Sequence, residues 1–387
     1  MIKLKKKSDR RVRRGHLWVF SNEVADPPVS QLEPGSIHEL VDFSGEFIGM
    51  VYSNPASLIT ARILSWRKES IDADFFQQRI QHALSYRKRL YPDRNVYRLI
   101  FGEGDLLPGL VVDRYEDVLV VQALTAGIDN LLETIMDILV DLVSPKCMFL
   151  RNNSSFRELE RLPLDQRVAY GEIPEPLEVI SEGLQLRVDV MNGQKTGLFL
   201  DQENNRSLMK QYVFPGAKVL DIFCYSGGWA LHALNSGAGK AVGVDSSHFA
   251  LDLARKNAEL NKLSERFETV RRGAIDFLKQ HQESWDIIIL DPPAFIKSKS
   301  HMNEGRKGYI DANARAFKRL SSNGILVTCS CSHHMDLSLF ESVLISAARQ
   351  SGRQLRILDV RGQGPDHPVL LSMPETRYLK VIVAQVI

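Results

Sequence analysis

Cysteine is scarce in this chain. Four occur in 387 residues (Cys147, Cys224, Cys329 and Cys331), none with the spacing of a disulfide framework, and the Cys-x-Cys step is too tight for the usual zinc pair. They read as free thiols in a reducing cytoplasm, and no metal site is expected. No apolar run has the length of a membrane span, and no apolar signal core follows the basic N-terminus, so neither a bilayer anchor nor export is expected. A strong overall charge is missing too: the net is +2, so any polyanionic partner must be met by local charge. What remains is an ordinary globular composition, 44% hydrophobic and 25% charged, at a length that suits two or three domains.

The chain is organised around residues 216–229, GAKVLDIFCYSGGW. Val219 to Phe223 is an apolar run long enough for a buried parallel strand and too short for a helix. It breaks into Cys224-Tyr225-Ser226-Gly227-Gly228, and helical spacing resumes from Trp229. Strand, glycine turn and helix N-terminus form the crevice in which α/β sheets hold nucleotides. The turn is neither G-x-G-x-x-G nor a P-loop. Instead an acid sits at the strand end, and a second acidic strand end follows at Asp245, where a carboxylate can take both ribose hydroxyls. The ligand is therefore expected to be a nucleoside with little phosphate, and S-adenosylmethionine fits. A third strand, Trp285 to Leu290, ends in Asp291-Pro292-Pro293-Ala294-Phe295, placing a carboxylate and an aromatic ring where a flat base could stack. Asp221, Asp245 and Asp291 resemble motifs I, II and IV of the class I methyltransferases.

That resemblance covers roughly residues 185–387. It implies a Rossmann-like sheet, with Phe223, Tyr225, Gly227, Gly228, Asp245, Ser246, Asp291 and Pro292 around the cofactor. Upstream, Phe199 is a candidate lid, while Gln202 and Arg206, one helical turn apart, could meet the methionyl carboxylate. Asp201 onward is expected to start a helix. The acid that usually meets the adenine in this class is replaced by Gly273, with Asp276 three residues on; Asp276 either serves that role or caps the next helix.

Charge is unevenly spread. Residues 1–14 hold eight Lys or Arg against one Asp, and residues 1–100 hold 17 basic against 11 acidic residues, a net +6 that leaves about −4 for the rest. A basic end on a near-neutral enzyme suggests a polyanion. Lys5, Arg10, Arg11, Arg13, Arg14 and Trp18 are the candidate RNA contacts, read as a charged strand or arm turning at Gly15 into an aromatic segment. Residues 1–72 are expected to form a small β module, and Arg10 to Glu23 resembles the opening of a PUA domain, a β-barrel that binds structured RNA. Residues 73–176 are expected to form a small α+β domain, resembling the central part of one bacterial rRNA methyltransferase family. Residues 177–387 are expected to be the catalytic domain. Within it, Lys297 to Tyr309 is expected to be a basic substrate loop, with Lys297 and Lys299 as RNA contacts.

Gly324 to Met335 brings a thiol to the sheet edge that carries Asp291. Carbon 5 of a pyrimidine is a poor nucleophile, so methylating it requires a thiolate to add at C6; a base nitrogen needs no thiol. Cys329 closes an alternating strand and is expected to point inward, which leaves Cys331 as the nucleophile with Asp291 as its catalytic partner. Ser330-Cys331-Ser332 is similar to the motif of the bacterial 23S rRNA cytosine-C5 methyltransferases that carry a PUA domain (the RlmI family). Those enzymes also lack a second cysteine after the Asp-Pro-Pro proline, as this chain does at Ala294. The resemblance implies 5-methylcytosine formation in 23S rRNA, naked or in an early assembly intermediate, by an enzyme that is compatible with a homodimer. Two other readings compete: a base-nitrogen enzyme such as a guanine-N7 methyltransferase, and a non-catalytic RNA-binding assembly factor. Asp366-His367-Pro368 and Tyr378-Leu379-Lys380 read as a loop and final strand with a substrate-loop or structural role.

Overall fold

The computed structural model describes residues 1–296 and 298–387; Lys297, a candidate RNA contact, lies outside the described residues. The chain resolves into two compact units. One comprises residues 1–177, 189–197 and 365–376, and the other residues 178–188, 198–364 and 377–387.

The N-terminal unit holds two sheets. Short strands between Ile2 and Ser65 make a six-stranded sheet, antiparallel except for the parallel pairing of Ile2–Leu4 with Ile37–Val41. Ile2, Leu17, Val19, Val51 and Ile63, all fully buried, fill its interior. The second sheet runs from Val96 to Gly171 in five strands, backed by helices Ala73–Leu90 and Leu132–Val143. Its edge strand, Asp165–Gly171, has a largely exposed alternation with little apolar signal. Gly102-Glu103-Gly104 is a single 3-10 turn. The buried ion pair of Arg62 with Glu160 (2.8 Å), which Asn54 also joins, ties the two sheets together within this unit.

The basic segment is not an arm. Arg10–Arg13 closes one helical turn that presents Val12 to the core. Asp366-His367-Pro368 belongs to this unit and is structural: Asp366 accepts from the Arg98 amide (2.9 Å) and from the His367 ring (2.9 Å), and its carbonyl accepts from the fully buried Arg87 (2.6 Å).

The second unit is a seven-stranded sheet in the order 267–271, 240–245, 218–222, 285–290, 320–330, 380–386, 355–361. The first five strands are parallel; strand 380–386 runs antiparallel to both its neighbours, so the edge strand 355–361 shares the direction of the first five. Ile287, Ile288 and Ile289 are all fully buried, with helices on both faces; each contributes about 1.5–3 kcal/mol by leaving water. Chain order reverses at strand Lys218–Ile222, which puts the ligand crevice beyond the carboxyl ends of this strand and its neighbour Trp285–Leu290.

Two sequence expectations change here. The helix expected from Asp201 is broken into a 3-10 turn (Leu200–Gln202) and single turns Glu203–Arg206 and Met209–Tyr212. The basic loop before Tyr309 is short, because Met302–Arg319 is one helix, with Lys299 in the 3-10 turn before it. Gly305 permits this: a Cβ there would meet the Phe295 carbonyl at 2.6 Å, so only glycine lets the helix pack against the Asp-Pro-Pro-Ala-Phe loop.

Candidate active site

Three carboxylates close neighbouring strands. Asp221 is fully buried; one oxygen accepts from the Ala230 amide (3.0 Å), at the start of helix Gly228–Asn235, and the other has no partner. Burial, reinforced by the charges of Asp291 and Asp245, raises its pKa to about 8. Asp245, half-buried, accepts from the Tyr225 amide (3.1 Å) and the Ser247 amide (2.9 Å), so it holds the glycine turn in place. Phe223, Tyr225 and Gly227 all adopt positive φ (67°, 47° and 80°). Strained backbone of this kind is concentrated where a ligand must be gripped.

Arg206 lies across Gly228, where a Cβ would stand 3.1 Å from its Cδ. It is 5% exposed, donates to the Phe199 carbonyl (3.0 Å) and leaves Nε without a partner. Phe199 sets its ring edge-on to Tyr225 at 5.3 Å. Gln202, expected on the methionyl carboxylate, commits its amide to neighbours: Nε2 donates to Asp291 (3.0 Å) and Oε1 accepts from Asn205 (2.8 Å). Ser246 is exposed, its carbonyl accepting from Arg271 (3.3 Å). Asp276 is exposed in the first turn of helix Ala274–Gln280, with a carboxylate oxygen 3.5 Å from where a Gly273 Cβ would be.

Asp291 receives a second donor that the sequence did not reveal, the indole of Trp229 (3.1 Å). Immediately after it, the buried Pro292 offers its carbonyl to the Cys331 thiol at 3.9 Å. Cys331 is half-buried, whereas Cys147, Cys224 and Cys329 are buried. Burial drives the Cys224 and Cys329 thiols well above their ordinary value, with nearby carboxylates adding to the effect. Of the four thiols, Cys331 alone has partial access to solvent.

The two serines around Cys331 have a visible purpose. Ser330 and Ser332 both bond the Tyr309 hydroxyl (3.1 and 3.0 Å), and Ser332 also accepts from the Ile296 amide (3.2 Å). Tyr309 stacks at a tilt on Phe295 (4.7 Å), which meets Phe223 edge-on at 6.2 Å. The thiol loop, the Asp-Pro-Pro loop and the glycine turn are thus locked into one frame. The sequence assigned no site role to Trp229, Tyr309 or Lys380: Trp229 and Lys380 open a helix and a strand whose patterns packing already explains, and Tyr309 fell in a stretch that reads as a loop. Among the described residues no group of three or more His, Cys, Asp or Glu could hold a metal.

Of the basic N-terminal candidates, Arg11 pairs with Glu23 (2.9 Å) and covers the Phe20 ring, and Arg13 pairs with Asp9, Asp42 and Glu46. Trp18 donates its indole to Glu103 (2.8 Å). These three are therefore committed within the fold. Lys5 is exposed with its ammonium on the Asn22 carbonyl (2.8 Å), while Arg10 and Arg14 are exposed and make no ion pair among the described residues.

Comparison with known proteins agrees with this geometry. Residues 2–66 match a PUA-like domain, and residues 106–366 match the S-adenosylmethionine-dependent methyltransferase family. The chain is 37% identical to ribosomal RNA large subunit methyltransferase I of Shewanella denitrificans, covering 100% of this chain and 99% of that one. The chain belongs to this methyltransferase family. Two solved chains share its whole fold: a candidate SAM-dependent methyltransferase from Streptococcus mutans (TM-score 0.85, 21% identity) and a candidate methyltransferase complexed with SAH (TM-score 0.86, 22% identity), each covering 100% of both chains. The enzyme uses S-adenosylmethionine, and the crevice suits it. The lone Asp221 oxygen and Arg206 Nε offer an acceptor and a donor to the two ends of an amino-acid tail, and the glycine turn admits it at close range.

Proposed function

We propose that the enzyme methylates carbon 5 of a cytosine in ribosomal RNA, with Cys331 as the covalent nucleophile. The observation that carries this reading is the 3.9 Å approach of the only half-buried thiol to the Pro292 carbonyl, beside a doubly held Asp291. When bound, S-adenosylmethionine supplies an electrophilic methyl group. Asp221 and Arg206 would hold its amino-acid tail, and Asp245 would take the ribose hydroxyls. Phe223, Tyr225, Gly227, Gly228, Ser246, Pro292 and Phe199 would complete the cradle, with Asp276 assigned to the adenine.

Around the substrate, Asp291 grips the N3–N4 edge of the flipped base. Gln202 and Trp229 fix its carboxylate, so its orientation is set before the base arrives. The Cys331 thiolate adds to C6, and the electron pair displaced toward C5 makes that carbon nucleophilic. After C5 is methylated, loss of its proton restores the 5,6 double bond and expels the thiolate. The PUA-like sheet supplies the RNA-binding surface, with Lys5, Arg10 and Arg14 toward the phosphates. Relatives named for large-subunit ribosomal RNA support an rRNA substrate, and with it the reading of a cytoplasmic enzyme.

The test is Cys331→Ala assayed on large-subunit rRNA with labelled S-adenosylmethionine. Turnover is expected to vanish while cofactor binding persists. Sustained turnover would mean a base-nitrogen target, and absence of cofactor binding in the unaltered protein would mean a non-catalytic RNA-binding factor.

A further inference from the structure

Lys380 occupies an unusual place for a lysine. It opens strand Lys380–Val386, is 7% exposed, and pairs in register with Ser330 at the end of the strand that carries the thiol loop. Its Nζ donates to two backbone carbonyls, Ser332 and Tyr378, each at 2.8 Å. The side chain therefore ends at the Ser330-Cys331-Ser332 turn, on the carbonyl of the residue that follows Cys331.

No carboxylate pairs with this nitrogen among the described residues. Two carbonyl acceptors take two of the three N–H bonds of an ammonium, whose remaining tetrahedral position is a third donor. Burial pulls the amine down to about 8 despite the opposing influence of Cys331 and Asp336, so the ammonium still predominates at pH 7. The other groups on this turn are the Tyr309 hydroxyl, committed to Ser330 and Ser332, and exposed His333, whose ring lies 6.1 Å from Tyr378.

We infer that Lys380 is the charge partner of Cys331: its ammonium, held by two carbonyls at the thiol turn, favours the thiolate over the thiol. When the thiolate forms, the S–H bond breaks with its electron pair left on sulfur, and the proton passes to solvent. When β-elimination returns the thiolate at the end of turnover, the pair is regenerated unchanged. The inference rests on Cys331 being the nucleophile, and it assigns to Lys380 a positioning role that acts through that sulfur.

The experiment reads the thiol and not methyl transfer, so it stands apart from the test of C5 chemistry. Iodoacetamide alkylation of Cys331 in the full-length enzyme is followed from pH 6 to 10, with Cys331→Ser as the blank. Lys380→Met is expected to move the rate profile to higher pH and to slow alkylation at pH 7 roughly tenfold, the factor for a shift of about one pH unit. Lys380→Arg, which keeps a cation on the same carbonyls, is expected to retain fast alkylation. An unchanged profile in Lys380→Met overturns the assignment. Should that variant not fold, thiolate absorbance near 240 nm in the unaltered enzyme, minus that of Cys331→Ser, decides: absorbance at pH 7.5 supports the pair, and its absence overturns it.

Discussion

Trp229 donates its indole N–H to Asp291 across 3.1 Å, from the first turn of the helix that follows the glycine turn. One residue thus links the wall of the cofactor crevice to the carboxylate proposed to grip the base. Gln202 supplies the other donor to the same oxygen. Hydrogen bonds to a charged group contribute about 1.5–3 kcal/mol each, and their loss frees the carboxylate to rotate. Trp229→Phe keeps the ring and removes the donor. Single-turnover methyl transfer is expected to fall on the order of tenfold, as one such bond implies, with cofactor affinity nearly unchanged. Loss of affinity and rate together would instead mark Trp229 as a cofactor contact.

Tyr309→Phe tests the frame around the thiol. The hydroxyl serves both Ser330 and Ser332, and its removal leaves two buried hydroxyls short of a partner. A cost of about 1–3 kcal/mol is expected in urea unfolding, together with slower methyl transfer as Cys331 loses its fixed approach to Pro292. Tyr309→Phe with unaltered turnover would show that the thiol loop holds itself.

The second unit was largely legible from its sequence because its strands are buried on both faces and end in acids: Asp221, Asp245 and Asp291 all fall at the crevice. What escaped was set by long-range packing. Gln202 and Trp229 meet Asp291 from 89 and 62 residues away, and no local pattern encodes such a meeting. The same holds for Tyr309, whose helix runs through a stretch that reads as a loop because Gly305 and Gly308 sit in it. Those glycines are there for the close pass of Phe295, a reason visible only in three dimensions. The basic N-terminal turn was misread for a related reason. Counting charges cannot show that Arg11 and Arg13 face acids contributed from Glu23, Asp42 and Glu46.

Gly305→Ala follows from that packing. The added Cβ would lie 2.6 Å from the Phe295 carbonyl and from Ile296 Cγ1. Backbone cannot yield as a flexible side chain can, so the Asp-Pro-Pro-Ala-Phe loop must shift. Overpacking of this kind costs about 1–3 kcal/mol. Thermal unfolding is expected several degrees lower, and activity is expected to fall more than stability explains. Gly45→Ala is not a fair control, since Gly45 has φ +94°; an exposed helical change such as Lys256→Ala serves better.

Two buried groups, Asp221 in the crevice and His232 on the helix after the glycine turn, give stability opposite pH slopes. Asp221 has its folded pKa raised from an ordinary 3.8 to about 8, so between these values the folded state binds the proton more tightly than the unfolded chain does. Stability then falls as pH rises through that window. His232 is lowered by burial from 6.5 to about 3, so the unfolded chain binds more protons below 6.5 and stability falls on acidification. The cofactor-free enzyme is therefore expected to be most stable in mildly acidic buffer. Asp221→Asn should flatten the alkaline slope of urea midpoints between pH 6 and 8 and weaken cofactor binding. An alkaline slope that survives in Asp221→Asn would assign it to another group.

The N-terminal unit separates electrostatics from architecture. Arg10 and Arg14 stand exposed, whereas Arg13 is tied to three carboxylates on the barrel surface. Each phosphate contact that is lost should reduce the slope of log affinity against log salt by roughly 0.7–0.9. Arg10→Glu with Arg14→Glu is expected to weaken rRNA binding and to flatten that slope by about two contacts, leaving thermal unfolding unchanged. Arg13→Ala is expected to do the reverse, loosening the barrel turn while the salt slope stays put, because a cation shared among Asp9, Asp42 and Glu46 has little attraction left for phosphate. If both substitutions alter the slope equally, the basic turn acts as a diffuse charge, and the internal ion pairs do not decide which arginines meet RNA.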